Sequence, residues 1–257
     1  MVRIIFNWIA YFYAYCFMGW CIESAIVSVS QRKPVNRGFL KGPFLPIYGF
    51  GAITMIASCL WLPHDLQVEH IILVYIVGMI AATALELVAG ILIENIFKVK
   101  YWDYSGKFCN FRGYICLKSS LFWGVLTVVL VFFVHTRVAA LIDNVKFHWL
   151  MGIVGAVSAV MVIDIVTSFR DAFDVQKFLA YQTRIQAELA EIRSRLANAK
   201  EEGIAELEMR KDKLLEELGL YRQRARAGFT RLRNYPTAYS KKFGAAFTAW
   251  KDKRKEM

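Results

Sequence analysis

Acidic side chains inside apolar stretches are the residues of this sequence best suited to chemistry. Four stand there: Glu23, Glu86, Glu94 and Asp164. A charge in hydrocarbon costs about 2.5 to 3.5 kcal/mol on insertion scales, so such residues are usually paired or functional. Grouped carboxylates would bind a cation, relay protons or meet a cationic group of a substrate. In the competing structural interpretation, an arginine or a tyrosine neutralises each acid and fixes the packing of the helices.

Spacing relates these acids to one another. Glu86, Gly90 and Glu94 repeat at intervals of four, which places them on one helix face with a glycine where a helix or a ligand can approach closely. Glu23, Glu86 and Asp164 lie in three different predicted spans. Each is a few residues before the cytoplasmic end of its span. We therefore predict that these three share one polar site, open toward the cytoplasm.

The segment NRGFLKGPFLPIYG, residues 36–49, lies between two apolar stretches. Its glycines and prolines favour irregular backbone, while Asn36, Arg37 and Lys41 supply hydrogen-bond donors. Tyr48 is a further candidate residue of the site. Non-helical backbone at membrane depth is tolerated only where protein or a water-filled cavity satisfies it. We predict that this first motif loop is a re-entrant lining of the polar site.

A second motif loop, YWDYSGKFCNFRGYICLKSS, carries Asp103, Asn110 and Arg112. Arg37 and Arg112 together would clamp an anion such as phosphate, because a guanidinium group matches two phosphate oxygens. Alternatively, the two arginines pair with the acids of the spans. These alternatives predict ligands of opposite charge, and the sequence leaves both open.

The elements that position these groups are apolar helices. The chain has 257 residues, of which 57% are hydrophobic and 21% charged. A helix needs about 20 mostly apolar residues to cross the hydrocarbon core. Five stretches meet this condition, so the sequence predicts an all-α, polytopic membrane bundle of about five spans: residues 5–29, 44–62, 71–93, 117–134 and 147–167.

Orientation follows from the basic residues. The loops after the first and third predicted spans are rich in Lys and Arg, whereas the other two are poor in them. Basic loops stay on the cytoplasmic side. We predict a multi-pass protein of the cell (plasma) membrane with its N-terminus outside and its C-terminus in the cytoplasm.

After the last span the sequence becomes polar and helical, so residues 1–168 are predicted to form the membrane bundle. Residues 169–234 carry a short coiled-coil pattern that either continues as one helix or folds back as a hairpin near 198–203. Residues 235–257 combine Phe243, Phe247 and Trp250 with lysines, which predicts an amphipathic tail that binds anionic lipid.

Several function classes lack support in the sequence. There is no P-loop, no dinucleotide-binding glycine motif and no metalloprotease helix. We therefore expect no cofactor and no metal, and we favour a non-enzyme over an enzyme. The five cysteines imply no disulfide framework. The four histidines fall in predicted external loops, where solvated or interfacial roles are expected. Nucleic acid is not an expected partner.

The two motif loops, GWCIES in the first span and ALELVAG in the third are similar to a bacterial membrane-protein family known as putative ABC-transporter type IV, or CmpB-like. The similarity covers about residues 8–165 and excludes the tail. Arg112 also falls within the second motif. The residues matched with the family's motifs are Gly19, Glu23, Asn36, Arg37, Gly38, Gly42, Pro43, Pro46, Tyr48, Gly49, Glu86, Trp102, Asp103, Tyr104, Asn110, Gly113 and Cys116.

The resemblance implies a permease, and because the chain has no P-loop, an ATPase would be a separate subunit. We therefore expect a permease-like or channel-like protein whose carboxylate-containing site faces the cytoplasm, with the bilayer, an ATPase subunit or a second copy as partners. Two alternatives stay open: a membrane enzyme acting on a lipid head group, and an assembly scaffold whose acids are purely structural.

Overall fold

The computed structural model describes residues 1–60, 62, 71–198, 204–235 and 237–252. The described residues are mainly helical, with only isolated β-bridges outside the helices, which confirms the all-α prediction. The helices are α1 (Val2–Gln31), α2 (Pro46–Leu60), α3 (Ile71–Phe97), α4 (Leu117–Val129), α5 (His135–Asp143), α6 (Phe147–Asn198), α7 (Ile204–Leu232) and α8 (Gly244–Asp252).

Within the described residues, four helical stretches are long and apolar enough to cross a membrane: α1, α3, Leu117–Asp143 and α6. Helix α2 is also apolar but has only 15 residues, or about 22 Å, which is less than the ~30 Å hydrocarbon core. The predicted second span extends past it into residues 61–62, of which 61 lies outside the described part. The multi-pass membrane fold is confirmed, and the count of five spans stays a prediction.

The helix of the fourth predicted span continues past its predicted end at Val134. A π-helical turn, Leu130–Val134, follows α4 directly, and α5 continues from it to Asp143, since the residues up to Ile142 are still mostly apolar. His135 therefore begins a helix rather than an external loop, and His148 likewise lies inside α6. His64 and His70 lie outside the described residues.

The chain divides into two compact units, which we call the membrane unit and the tail unit. The membrane unit comprises Met1–Leu92 and Trp102–Thr167, and the tail unit comprises Ile93–Tyr101 and Ser168–Met257. In the membrane unit, α1 packs closely on α2 because two glycines remove side-chain bulk: Gly19 lies against the Tyr48 ring, and Gly49 against Cys16.

In the tail unit, α7 runs antiparallel to the C-terminal part of α6. Contacts pair successively earlier residues of α6 with later residues of α7: Glu188 with Arg210, Tyr181 with Glu217 and Tyr221, and Asp171 with Arg231. This is the arrangement of the hairpin alternative, with the connecting residues 199–203 outside the described part.

The aromatic face of the C-terminal segment points into the protein. Phe247 is 1% exposed and Phe243 is also buried, while the Trp250 ring stacks on Phe229 of α7 at 4.6 Å between centroids. In this structure Phe243 and Phe247 therefore pack against protein. Binding of anionic lipid by the lysines of residues 235–257 stays a prediction.

A double-mutant cycle on Tyr181 and Glu217 tests the intramolecular hairpin. The Tyr181 hydroxyl donates to Glu217 at 2.6 Å across the two helices, and hydrogen bonds to charged groups contribute about 1.5 to 3 kcal/mol. We expect Tyr181→Phe and Glu217→Gln to show a coupling of about 1 kcal/mol in the hydrogen-exchange protection of α7, measured on the full chain.

The matched control is the exposed pair Glu191 and Arg195 within α6, for which the coupling should be about 0.3 to 0.5 kcal/mol. The coupling between Tyr181 and Glu217 should not depend on protein concentration, because both partners belong to one chain. A coupling that vanishes on dilution would instead indicate pairing between chains.

Candidate functional site

Glu86 of α3 lies at the centre of the candidate site. The residue is only 5% exposed. Its carboxylate accepts hydrogen bonds from the Trp123 indole at 2.9 Å, from the Ser119 hydroxyl at 2.9 and 3.2 Å and from the Tyr104 hydroxyl at 3.3 Å. Among the described residues, no Lys or Arg forms an ion pair with it. Neutral donors alone therefore hold this buried acid.

Local structure explains the placement of these donors. Ser119 and Trp123 are four apart on α4, so they share the face that meets α3. Tyr104 belongs to the second motif loop, whose backbone is held by a hydrogen bond from Tyr104 N–H to the Gly113 carbonyl at 2.8 Å. Burial, and then the nearby Glu86 charge, raises the pKa of Tyr104 to about 12, so its hydroxyl remains a donor at neutral pH.

Glu23 of α1 has a cationic partner, unlike Glu86. The Arg37 guanidinium donates from Nε to Glu23 Oε1 at 2.9 Å, and the Arg37 backbone N–H donates to the Ser24 hydroxyl at 3.1 Å. Beside them, the Trp20 indole donates to the Asn36 side-chain oxygen at 2.7 Å. For Arg37 the geometry matches the pairing alternative: its guanidinium contacts an acid of a span.

Tyr48, the third residue of α2, lies between the two acids. Its side chain lies near enough to Glu23 to interact with it electrostatically, and its ring faces Trp123 with 6.4 Å between centroids. Gly19 makes this position possible, since a Cβ atom there would lie 2.3 Å from Tyr48 Cγ. Tyr48 thus lies near one acid and contacts a donor of the other.

Asp164 of α6 holds the first motif loop by its backbone. Its two carboxylate oxygens accept from the N–H groups of Lys41 at 2.8 Å and Gly42 at 2.7 Å. A Cβ atom on Gly42 would lie 2.9 Å from the carboxylate, so glycine permits this close approach. Asn36 closes the same loop by donating to the Lys41 carbonyl at 2.7 Å. Asp164 therefore reaches the loop that carries Arg37.

The second motif loop uses most of its polar groups on itself. Asp103 accepts from Ser105, and Asn110 donates to the carbonyls of Ser105 and Lys107. Asn110 also accepts from the N–H of Gly113, which adopts φ +75° against the Asp103 carboxylate. In this geometry Asp103 and Asn110 shape the loop rather than face the Glu86 carboxylate.

Arg112 lies in the same loop with φ 52°. Its guanidinium is 5.7 Å from the centre of the Phe111 ring, and it forms no ion pair with Glu86. The loop also packs against α3, because the Trp102 and Tyr114 rings contact the position of Gly90. The close approach predicted at Gly90 is thus made by the loop.

Glu94 does not join Glu86. It belongs to the tail unit, where its carboxylate lies 3.7 Å from the Lys100 ammonium. Of the remaining motif residues, Pro46 opens α2 at the first helical position, which suits its fixed φ. Gly38 and Pro43 lie in the irregular backbone before it.

Four residues of the site escape prediction from composition alone: Trp20, Ser24, Ser119 and Trp123. The available signal was their spacing. Trp20 and Ser24, which flank Glu23, are four apart, and Ser119 near the end of the second motif segment is four residues before Trp123. A hydroxyl and an indole four apart in an apolar helix supply two donors on one face, which is what a buried carboxylate requires.

The arrangement can bind a proton or a small cation. Carboxylates buried with neutral donors keep a net negative charge that a bound positive ion would neutralise, and burial makes that neutralisation favourable. No group of three or more His, Cys, Asp or Glu suited to a metal ion occurs within the described residues. In the described part of the membrane unit, Glu86 is the acid that hydroxyl and indole groups surround.

Comparison with protein families supports a family assignment. The profile of the family described as Putative ABC-transporter type IV matches residues 10–169, which include most of α1, all of α2 to α5 and the first part of α6. The searches of curated proteins and of solved structures returned no match. Since the matched region covers more than half of the sequence and contains both motif loops, this chain belongs to the putative ABC-transporter type IV family.

Proposed function

We propose that this protein is a permease-like membrane protein in which the Glu86 carboxylate binds and releases a proton or a monovalent cation during transport. The observation that carries the proposal is the environment of Glu86: a buried carboxylate with three neutral donors and no basic partner among the described residues. If an acid served only to fix the packing of helices, the free-energy cost of burying it would be lower with a cation beside it.

The pair of Glu23 and Arg37 supports the same proposal by contrast. Its charges compensate each other at 2.9 Å, so this pair fixes the first motif loop without attracting a further ion. Tyr48 lies between the compensated pair and Glu86, and it gives the site a polar wall on the α2 side. The ligand expected at Glu86 is therefore positively charged.

The anion clamp has less support. The guanidinium of Arg37 contacts Glu23, so a phosphate would have to displace a carboxylate to reach it. An ATP-driven form of the proposal requires a separate ATPase subunit, because the chain itself has no P-loop.

Glu86→Gln is the direct test. The full chain, reconstituted in liposomes that contain a pH-sensitive dye, should admit protons when a potassium gradient with valinomycin makes the interior negative; uptake of rubidium and sodium ions is measured in parallel. Glutamine keeps the shape and an acceptor oxygen but does not ionise. We expect the variant to lose the flux of the transported ion by at least about a hundredfold, in the range of a lost acid-base group.

Glu188→Gln is the matched control, because this glutamate lies in the tail unit and pairs with Arg210. The thermal midpoint of each variant in detergent is measured with the flux. A Glu86→Gln protein that keeps full flux but melts earlier would contradict the proposal and support the structural interpretation. Absence of flux for all three ions in the unsubstituted protein would also contradict it.

A further inference from the structure

A second polar contact lies in the same membrane unit, away from Glu86. The Nδ1 atom of His135 and the Tyr15 hydroxyl are 2.8 Å apart, and the His135 ring meets the Tyr11 ring edge to face at 5.1 Å. Tyr15 is 3% exposed. A histidine held by a buried tyrosine inside a helical bundle can gain or lose a proton near neutral pH.

The π-turn directs His135 toward this contact. His135 stands twelve positions after Trp123, and at about 100° per residue a regular α-helix would place the two side chains about 120° apart around the axis. The π-turn Leu130–Val134 adds one residue to a turn, which moves the following residues back by about 100° and leaves His135 within about 20° of Trp123. Such insertions are frequent at functional sites.

Helix α1 presents a matching face. Tyr11, Tyr15, Gly19 and Glu23 repeat at intervals of four, so they form one winding stripe. Tyr15 contacts His135, Gly19 contacts Tyr48, and Glu23 contacts Arg37 and lies near Tyr48. From Tyr15 to Glu23 the stripe extends about 12 Å along the helix axis.

One apolar cluster adjoins both polar contacts. It includes Tyr15, which contacts His135, and Trp123 packs against it while donating to Glu86. The stripe of α1 and the face of α4 and α5 that carries Trp123 and His135 thus share a core.

We propose that His135 is a second proton-binding site of the membrane unit, which takes up and releases the proton that the Glu86 site binds; this rests on the permease-like function proposed above. With a proton on Nδ1 donated to the Tyr15 oxygen, Nε2 accepts a proton from water and the ring becomes imidazolium. Return of that proton to water restores the neutral ring, and no covalent bond to carbon forms or breaks.

The groups around His135 suit this role. From α1, Tyr11 and Tyr15 face the ring, and from α5 the Asp143 carboxylate acts on it through space. Asp143 itself accepts from the Asn7 amide at 2.7 Å. Helix α2 contacts the π-turn, and its ionisable residues are Tyr48 and Cys59. The basic residues of these elements are Arg3 of α1, which donates to the Asp143 backbone carbonyl at 2.7 Å, and Arg137 of α5. The Asp143 carboxylate is the anionic group that would stabilise an imidazolium at this position.

His135→Gln in the liposome assay is the first test, with His148→Gln, an exposed histidine of α6, as control. We expect proton flux to fall about tenfold for His135→Gln, equivalent to about 1.4 kcal/mol of barrier, and to stay unchanged for His148→Gln. Flux that Glu86→Gln abolishes but His135→Gln leaves intact would overturn this inference while the proposed function stands.

Nuclear magnetic resonance of the full chain, labelled with ¹⁵N-histidine in lipid nanodiscs, gives a readout independent of transport. The signal missing from His135→Gln identifies the residue. We expect this signal to titrate and its midpoint to shift in Tyr15→Phe but not in Tyr13→Phe, because the Tyr13 hydroxyl contacts Ser158 instead. A His135 signal that does not titrate, or a midpoint indifferent to Tyr15→Phe, would overturn the inference even if the protein transports protons.

Discussion

Gly19→Val should destabilise the membrane unit by about 3 kcal/mol or more, at the upper end of the cost of overpacking a core. A Cβ atom on Gly19 would lie 2.3 to 2.7 Å from three carbon atoms of Tyr48, whereas carbon atoms prefer separations of about 3.5 to 4.0 Å. Two of the three carbons are Tyr48 Cβ and Cγ, which are close to the backbone, so helix α2 itself must move.

The measurement is the thermal midpoint of the full chain in detergent, followed by intrinsic tryptophan fluorescence. Gly51→Ala is the control within the same pair of helices, since nothing lies within 4 Å of a Cβ atom there, and it should change the midpoint little. Removing the Tyr48 ring in Gly19→Val/Tyr48→Ala should recover part of the loss. An unchanged midpoint for Gly19→Val would show that α1 and α2 do not pack at this glycine.

Arg37→Met is the second change with a large expected effect. It leaves the Glu23 carboxylate without its cation, and breaking a buried ion pair from one side typically costs 3 to 5 kcal/mol. The two side chains retain 15% and 27% exposure, so solvent partly screens the unpaired carboxylate. We therefore expect a loss of about 2 to 4 kcal/mol, lower than for a fully buried pair.

Double-mutant analysis separates the ion pair from packing. Glu23→Gln combined with Arg37→Met removes both charges, so most of the loss should be recovered, because the unpaired carboxylate is its main cause. Arg195→Met, which breaks an exposed pair within α6, should cost less than about 1 kcal/mol. Equal losses for Arg37→Met and for the double variant would mean that the arginine contributes through packing alone.

Hydrophobic periodicity predicted much of the fold. Long apolar stretches indicate helices because the hydrocarbon interior requires every backbone group to be satisfied within its own segment, and this argument needs no knowledge of contacts. The argument did not predict where the helix of the fourth span ends, because that helix extends beyond its most apolar part. The π-turn and α5 continue past Val134 to Asp143. The extra residue of a π-turn cannot be recognised from the sequence when the residues around it are uniformly apolar.

Among the candidate residues, the sequence by itself identified Glu23, Arg37, Tyr48, Glu86 and Asp164, because charges and hydroxyls are rare in such helices. Only the tertiary structure decided their partners. Glu23 forms an ion pair with Arg37. Glu86 accepts hydrogen bonds from three neutral side chains, and Asp164 accepts from backbone N–H groups.

In the tail, too, the sequence indicates which elements form, and the tertiary structure shows what they pack against. Its heptad pattern predicted helices that need a partner, but the pattern by itself leaves open whether that partner belongs to the same chain. In the structure, Tyr181 contacts Glu217 and Arg210 contacts Glu188 of the same chain. The physical reason is common to both parts of the molecule: local sequence determines which groups must be buried or satisfied, whereas the identity of the satisfying group depends on segments distant in sequence that meet only when the helices pack.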